Sequence, residues 1–526
     1  IASCLVGSEM CIRDRYGVML MTNAKKLLTN TLLLTAAAFL MKTVAVSFNV
    51  YLTNKIGADG IGLFQLITAV YGMSITFSVA GIRLAAMRIV ADNIALGKYN
   101  DRQIMRRCLV YSFICGTVIA ALLAGFSEFI GSKWIGDVRS VPSLKVLSLS
   151  LPFVAMSAAL NGYFTSVKKI VRYTAVQLSE QVFKIVVTVF LLKSVITHGL
   201  EASCTAIVFG ISSAEFFSLV CSYTLYRFSV CKPKETENGR DIWKRILKIS
   251  IPDTVGSEMR SILMTVEHLL IPVGFRKSGS DPQTALANYG VIHGMSLPLV
   301  LYPSALLSSL SGLLVPEISA LHISGNKPRI NYMIARVLHL TLIFSIGTAG
   351  IMYFNAKRLS FAVYGNDSAF LYIQILSPLI PVMYCDMSVD GMLKGLDQQV
   401  SYMRYNIIDA SICVVLVYLL VPIFSVKGYV IVVFVSEIIN FILSFRRLTK
   451  VSDVNISFFK DIFIPIFCII GANLSKNFIF FFFNITNFKL AASLEIIAAV
   501  ILYTGMIVLF RSIDKEELDW MKSLVK

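Results

Sequence analysis

Apolar runs of about 20 residues recur along the whole chain, separated by short polar segments that hold most of its charge. A helix needs about 20 mainly apolar residues to cross the ~30 Å hydrocarbon layer of a bilayer. On that measure, spans are expected near 27–49, 62–84, 109–130, 146–164, 176–192, 205–226 and 249–273. Seven more follow near 288–315, 334–354, 370–392, 407–424, 429–445, 462–483 and 490–510. The expected fold class is an all-α polytopic membrane protein of about 14 transmembrane helices. The connections are short, and none contains a P-loop, a Rossmann fingerprint or an HExxH sequence. An ATP-driven pump and an enzyme with a large catalytic loop are thereby excluded.

Composition supports this reading. The chain has 526 residues, 56% hydrophobic and 15% charged, whereas soluble domains carry about 25% charge. Its net charge of +17 would suit a nucleic-acid partner, but the Lys and Arg residues lie in short loops between apolar runs. With the amino end inside, the inner segments hold roughly 30 of them and the outer loops roughly 11, the asymmetry that marks cytoplasmic loops. Both termini are therefore expected in the cytoplasm, with the basic loops facing anionic membrane lipids and no nucleic acid bound. The ten cysteines form no CxxC pair and no cluster with histidine, so neither a disulfide framework, a metal site nor a cofactor is expected.

The chain also repeats itself. Asn161-Gly162, Arg172-Tyr173 and Glu180 recur as Asp390-Gly391, Arg404-Tyr405 with Tyr402, and Asp409; Gly162 to Gly391, Tyr173 to Tyr402 and Glu180 to Asp409 share an offset of 229. A unit of six spans is even, so both copies enter from the same side as parallel repeats, with a site expected between them. The expected organisation is a six-helix lobe over 21–226, a basic cytoplasmic linker over 227–248, and a second six-helix lobe over 249–445. Two additional helices and a cytoplasmic tail follow over 446–526. Residues 1–20 read as a non-native leader, because CLVGSEMCIRDR resembles translated adapter sequence; Met19 or Met21 is the expected start.

Ionisable groups inside a membrane are costly and usually face a bundle interior or a wet cavity. Thr35, Lys42 and Asn49 are spaced by seven on one face of the first span, and Asp253, Arg260 and Glu267 repeat that spacing in the seventh. Lys42 and Arg260 are the candidate cavity cations for an anionic head group such as a diphosphate, with Arg83 as a weaker third. The competing reading for Arg260 is an internal salt bridge with Glu215 or Asp386. Asp253, Glu258, Glu267 and Asp386 are the candidate sites for a coupling H+ or Na+. Asp390, Asp409, Glu437 and Glu495 are further acids of the same kind, while His268 reads either as a group beside Glu267 that titrates near neutrality or, the reading slightly favoured, as an interface residue at the outer end of its span.

Several stretches resemble a known family. Ile249-Ser250-Ile251-Pro252, the run Leu297-Pro298-Leu299-Val300-Leu301-Tyr302-Pro303-Ser304, and Leu314-Val315-Pro316-Glu317-Ile318 are similar to the polysaccharide transporter branch of the multidrug/oligosaccharidyl-lipid/polysaccharide exporter superfamily. So are Lys55-Ile56-Gly57-Ala58-Asp59-Gly60 and Gly81-Ile82-Arg83-Leu84-Ala85, and the resemblance covers about 21–510. Within that branch the chain looks most like the stage V sporulation protein B group, relatives of the lipid II flippases. The resemblance implies a non-enzymatic flippase of the bacterial cell membrane, functional as a monomer. Its cargo would be a lipid-linked oligosaccharide or a lipid II-like precursor, carried outward by alternating access in cell wall or spore cortex synthesis. It also implies a cavity-lining basic residue in the first span, a position that Lys42 matches. A cation-coupled multidrug antiporter of the same superfamily is the alternative, and a membrane-embedded glycan polymerase a third.

Overall fold

A computed structural model describes residues 2–95, 101–229, 239–453, 457–481, 488–510 and 512. The side chains before residue 36 and a few later ones, Asp253 among them, lie outside the described set, as do parts of the 227–248 linker and the tail. The described residues are mostly helical, with no strand among them. The part of the chain expected to form the first lobe holds α1 (Ala2–Val79), α2 (Ile82–Ala95), α3 (Asp101–Phe129), α4 (Val141–Ser148), α5 (Leu151–Ser166), α6 (Ile170–Val195) and α7 (Leu200–Ser229). The part expected to form the second holds α8 (Gly239–Lys277), α9 (Pro282–Tyr289), α10 (Leu297–Val300), α11 (Ala305–Ile323), α12 (Lys327–Tyr364), α13 (Phe370–Leu376), α14 (Ile380–Gly395) and α15 (Gln399–Val451). Two further helices, α16 (Ile464–Phe481) and α17 (Phe488–Leu509), complete the described chain.

Among the described residues, nine helices are long and apolar enough to cross a membrane, or ten when the bent pair Val138–Ser148 and Leu151–Ser166 counts as one. That number differs from the fourteen read off the apolar runs, and the difference has a physical origin. Ala36–Ile94 spans 59 residues and Gln399–Val451 spans 53. At 1.5 Å per residue a straight helix of that length runs to about 80 Å or more, over twice the hydrocarbon thickness. Both are in fact broken: α1 at Gly57, where φ is 76°, and α15 at Ser425, where φ is 52°, three residues after Pro422. α8 fails the apolar test because it carries Asp253, Glu258, Arg260 and Glu267. The expected span 288–315 is interrupted, passing from α9 through a π-helical turn (Gly290–Ser296) and α10 into α11.

The repeat is written into the backbone. α4 and α13 begin at 141 and 370, α5 and α14 at 151 and 380, and α6 and α15 at 170 and 399, each pair 229 apart. Left-handed residues fall at the same interval, Gly136 with Gly365 and Lys168 with Asp397. At Gly136 and Gly365 (φ 71° and 75°) the chain leaves one helix and turns toward the next, a conformation that favours glycine.

Apolar clusters fill each lobe, around Tyr163 and Phe164 in the first and around Tyr384 and Ile380 in the second. Phe113, Phe126, Phe190, Val186 and Leu474 instead point outward, as side chains solvated by lipid do. α16 and α17 pack on α12 through Ile343, Ile346, Cys468, Ile469 and Tyr503, and the Tyr503 hydroxyl donates to the Ile343 carbonyl at 2.7 Å.

Candidate functional site

The two lobes meet along a polar seam formed by α1. Lys42 Nζ donates to Ser304 Oγ at 3.2 Å, Thr43 and Tyr302 share a hydrogen bond at 3.0 Å, and Asn49 Nδ2 donates to the Gly294 carbonyl at 2.5 Å. Beyond the break at Gly57, Thr265 donates to the Ala69 carbonyl at 3.2 Å, and Thr76 and Ser261 share a bond at 3.3 Å. Lys42 and Asn49 lie two helical turns apart on one face, and both reach across to the interrupted segment of the second lobe. Thr35, the third member of the expected stripe, has its side chain outside the described residues.

The seam is made possible by irregular backbone. Pro298 and Pro303 each lack an N–H, residues 301–304 form turns rather than helix, and Ser304 Oγ donates to the Leu301 carbonyl at 2.7 Å while accepting from Lys42. Nearby, Gly62 and Gly290 bring the lobes into direct backbone contact. A Cβ on Gly62 would collide with the Leu286 carbonyl, and one on Gly290 with the Ala58 carbonyl.

Arg260 is oriented differently from Lys42. Its guanidinium donates to the Tyr402 hydroxyl at 3.4 Å and lies within electrostatic reach of Asp386, Asp390 and Asp409, all in its own lobe. Asp386 Oδ2 accepts from Asn440 at 2.8 Å, while its Oδ1 has no hydrogen-bond partner among the described residues. Asp409 accepts from Ser436 at 2.5 Å. Glu267 faces Asp409, and Glu437 lies near all four of these acids. No ion pair closes between Arg260 and any of them among the described residues. Glu215, the other partner considered for Arg260, sits in the first lobe beside Glu180 and Lys184.

The remaining sequence candidates fall in separate places. Glu258 is buried, and both of its carboxylate oxygens are without hydrogen-bond partners among the described residues. Arg83 is exposed and near Tyr173. The Asp253 side chain lies outside the described set.

His268 is packed into a cluster of rings. Its Nδ1 shares a hydrogen bond with Tyr289 at 2.9 Å, its ring lies 4.8 Å from that of His293, and His293 Nε2 bonds Tyr429 OH at 2.7 Å. Tyr289 and His293 stand on α9 and the adjoining π-helical turn, and a single span's periodicity carried no sign of this cluster. Tyr402, which holds Arg260, did leave a sequence signal, because it is the repeat counterpart of Tyr173.

Other in-membrane charges are structural. Lys476 is 2% exposed, donates to Asn355 Oδ1 at 2.7 Å and stands 3.7 Å from Glu495, which also pairs with Arg358. Glu495, grouped from sequence with the coupling acids, is thus tied up in the attachment of α16 and α17 to α12.

Residues 27–322 match the family described as polysaccharide biosynthesis protein. Stage V sporulation protein B of Bacillus subtilis (strain 168) is 22% identical over 510 residues, which cover 93% of this chain and 96% of that protein. Among solved structures, the lipid II flippase MurJ in an inward closed conformation superposes with a TM-score of 0.63 at 13% identity, covering 91% of this chain and 98% of that one. An inward-facing MATE family multidrug resistance transporter of the MOP superfamily gives 0.62 at 13% identity, covering 78% and 95%. At these identities the two solved structures establish a shared polytopic fold.

Proposed function

The chain belongs to the polysaccharide biosynthesis protein family, and from that premise we propose that it is a flippase for a lipid-linked saccharide. The two lobes rock about the α1 seam, moving the head group from the inner to the outer leaflet of a bacterial cell membrane by alternating access. The observation that carries this reading is Lys42. It is a cation in mid-span, at the junction of the lobes, whose partner is the Ser304 hydroxyl rather than a carboxylate. Its charge is therefore available to an anionic head group, which adds a charge–charge attraction that a hydroxyl lacks.

In this reading the diphosphate draws Lys42 away from Ser304, and Arg260 presents its fork of donors from the second lobe, with Arg83 nearer the cytoplasmic mouth. Arg260 is held meanwhile by Tyr402 and the field of Asp386, Asp390 and Asp409. Those acids, with Glu267 and Glu258, form the region where H+ or Na+ would couple to transport. The chain crosses fourteen times with both termini in the cytoplasm, acts as a monomer and performs no covalent chemistry.

A second reading is supported by the same acids: a cation-coupled multidrug antiporter. A leaflet-translocation assay in proteoliposomes separates the two. Transport of lipid II or an undecaprenyl-diphosphate oligosaccharide, without transport of small cationic drugs, is the expected result. Drug transport without glycolipid transport would establish the antiporter instead.

A further inference from the structure

Away from the seam, on the outer flank of the first lobe, α3, α5 and α7 enclose a groove of about 970 Å³. This is at the upper end of the range for small-molecule sites, about 300–1,000 Å³. No residue of the groove takes part in the seam or in the acidic region described above. One end is basic. Arg102 and Arg106 stand one turn apart on α3, and Arg227 lies in the last turn of α7. Tyr226 is within electrostatic reach of Arg102 and of Asp101, which brings the end of α7 to the start of α3 and gathers the three arginines together. All three are exposed, and none forms an ion pair among the described residues.

The other end is apolar. Val110 and Phe113 on α3 and Val220 on α7 are roughly half exposed along its wall, with Tyr223 between them and the arginines. From Arg102 to Phe113 the helix rises by about 16 Å, close to half of the ~30 Å hydrocarbon layer. Charge at the head-group level, an aromatic ring at the interface and apolar side chains to mid-membrane are the gradient of one lipid leaflet.

We propose that this groove is a binding site for an anionic glycerophospholipid. The phosphate sits among the guanidinium groups of Arg102, Arg106 and Arg227, and an acyl chain lies along Val110, Phe113 and Val220. Guanidinium forks match phosphate oxygens geometrically, whereas a zwitterionic head group would bring its own cation against the arginines. The inference needs the membrane fold but neither the flippase reading nor a particular substrate.

The test uses the full chain purified in detergent, with native mass spectrometry and thermal unfolding in the presence of phosphatidylglycerol, phosphatidylcholine or undecaprenyl diphosphate. Phosphatidylglycerol is expected to give a retained adduct and a raised Tm, with phosphatidylcholine at least tenfold weaker. The triple variant Arg102→Gln/Arg106→Gln/Arg227→Gln should lose about tenfold or more in affinity for phosphatidylglycerol, and the matching triple Lys variant should keep most of it. A Phe113→Trp variant with the arginines intact should be quenched by phosphatidylglycerol brominated in its acyl chains and not by brominated phosphatidylcholine. Equal binding of the two phospholipids, unchanged binding in the Gln variant, or absence of quenching would overturn the assignment. Preference for undecaprenyl diphosphate would overturn it too, by giving the groove to the glycan carrier.

Discussion

Lys42 on α1 and Ser304 at the head of α11 are separated by 262 positions in the chain and 3.2 Å in space. The bond joins the two lobes at mid-membrane, and it is made by a residue whose charge it does not neutralise. A hydrogen bond from a charged donor to a neutral acceptor contributes about 1.5–3 kcal/mol to stability. A side chain retained there for folding alone would not need to be a cation, so the arrangement points to a ligand that does carry charge.

Lys42→Ala should consequently abolish most glycolipid transport in proteoliposomes while lowering stability by no more than about 3 kcal/mol. Lys42→Arg is expected to retain partial transport, since the charge persists in a longer and flatter group. Full transport by Lys42→Ala would remove the head-group role.

Arg260 calls for a different comparison, because its surroundings are acidic. Removing it leaves Asp386 and Asp409 without the cation that faces them, and Asp390 with Lys394 alone. Arg260→Ala should therefore destabilise the second lobe, by about 3 kcal/mol if it resembles the breaking of a buried pair. Arg260→Ala/Asp386→Asn should restore much of the Tm, and Arg260→Ala/Glu215→Ala should not, since Glu215 lies in the other lobe beside Lys184. Restoration of transport as well as Tm in the Asp386 double variant would show that Arg260 serves the acids and not the substrate.

The C-terminal helices supply a third test. Lys476 and Arg358 both converge on Glu495 at the contact of α12, α16 and α17. Lys476→Met should lower the Tm by several degrees, because a buried Glu495 loses one of two cations, with a cost of about 3 kcal/mol. Lys476→Met/Glu495→Leu should recover it, as replacement of a whole buried pair by apolar groups is often close to neutral. An unchanged Tm in the single variant would mean that Arg358 alone holds Glu495.

The limits of sequence reading follow from the distance over which each signal acts. Lys42 and Asn49 were legible as a pair because two turns of one helix bring them to one face, and both do cross the seam. The 229-residue offset was legible because loop residues repeat, and it recurs in the starts of α4 to α6 and α13 to α15. The setting of Arg260 was legible only in part: Asp386 was weighed as its partner, but Tyr402 and Asp409, well over a hundred positions later, were not. The surroundings of His268 were not legible either, because Tyr289 and His293 reach it from α9 and the π-helical turn, outside its own apolar run. The breaks in α1 and α15 were legible, because the apolar runs 27–49 and 62–84 part around Gly57, and 407–424 and 429–445 part at Ser425.

The closest approach of the lobes yields the final prediction. Gly62 and Gly290 allow α1 and the α9 region to touch backbone to backbone, Gly62 against the Leu286 carbonyl and Gly290 against the Ala58 carbonyl. A methyl group at either position meets a carbonyl oxygen, which is part of a helix and cannot rotate away. Overpacking of this kind costs about 1–3 kcal/mol. Here the cost falls on one arrangement of the lobes only, the one in which this part of the seam is closed. Gly62→Ala and Gly290→Ala should therefore fold and insert, yet shift the population toward the state with these helices apart. A penalty of about 1.4 kcal/mol changes that ratio tenfold. Cysteine placed at Ala58 or Leu286 reports the shift: maleimide labelling should be faster in the alanine variants than in the parent, and transport should fall with it. Gly72→Ala is the control, because a Cβ there has open space, and it should leave both labelling and transport unchanged. Equal labelling in all three backgrounds would show that the glycine contact is packing without a role in the lobe motion.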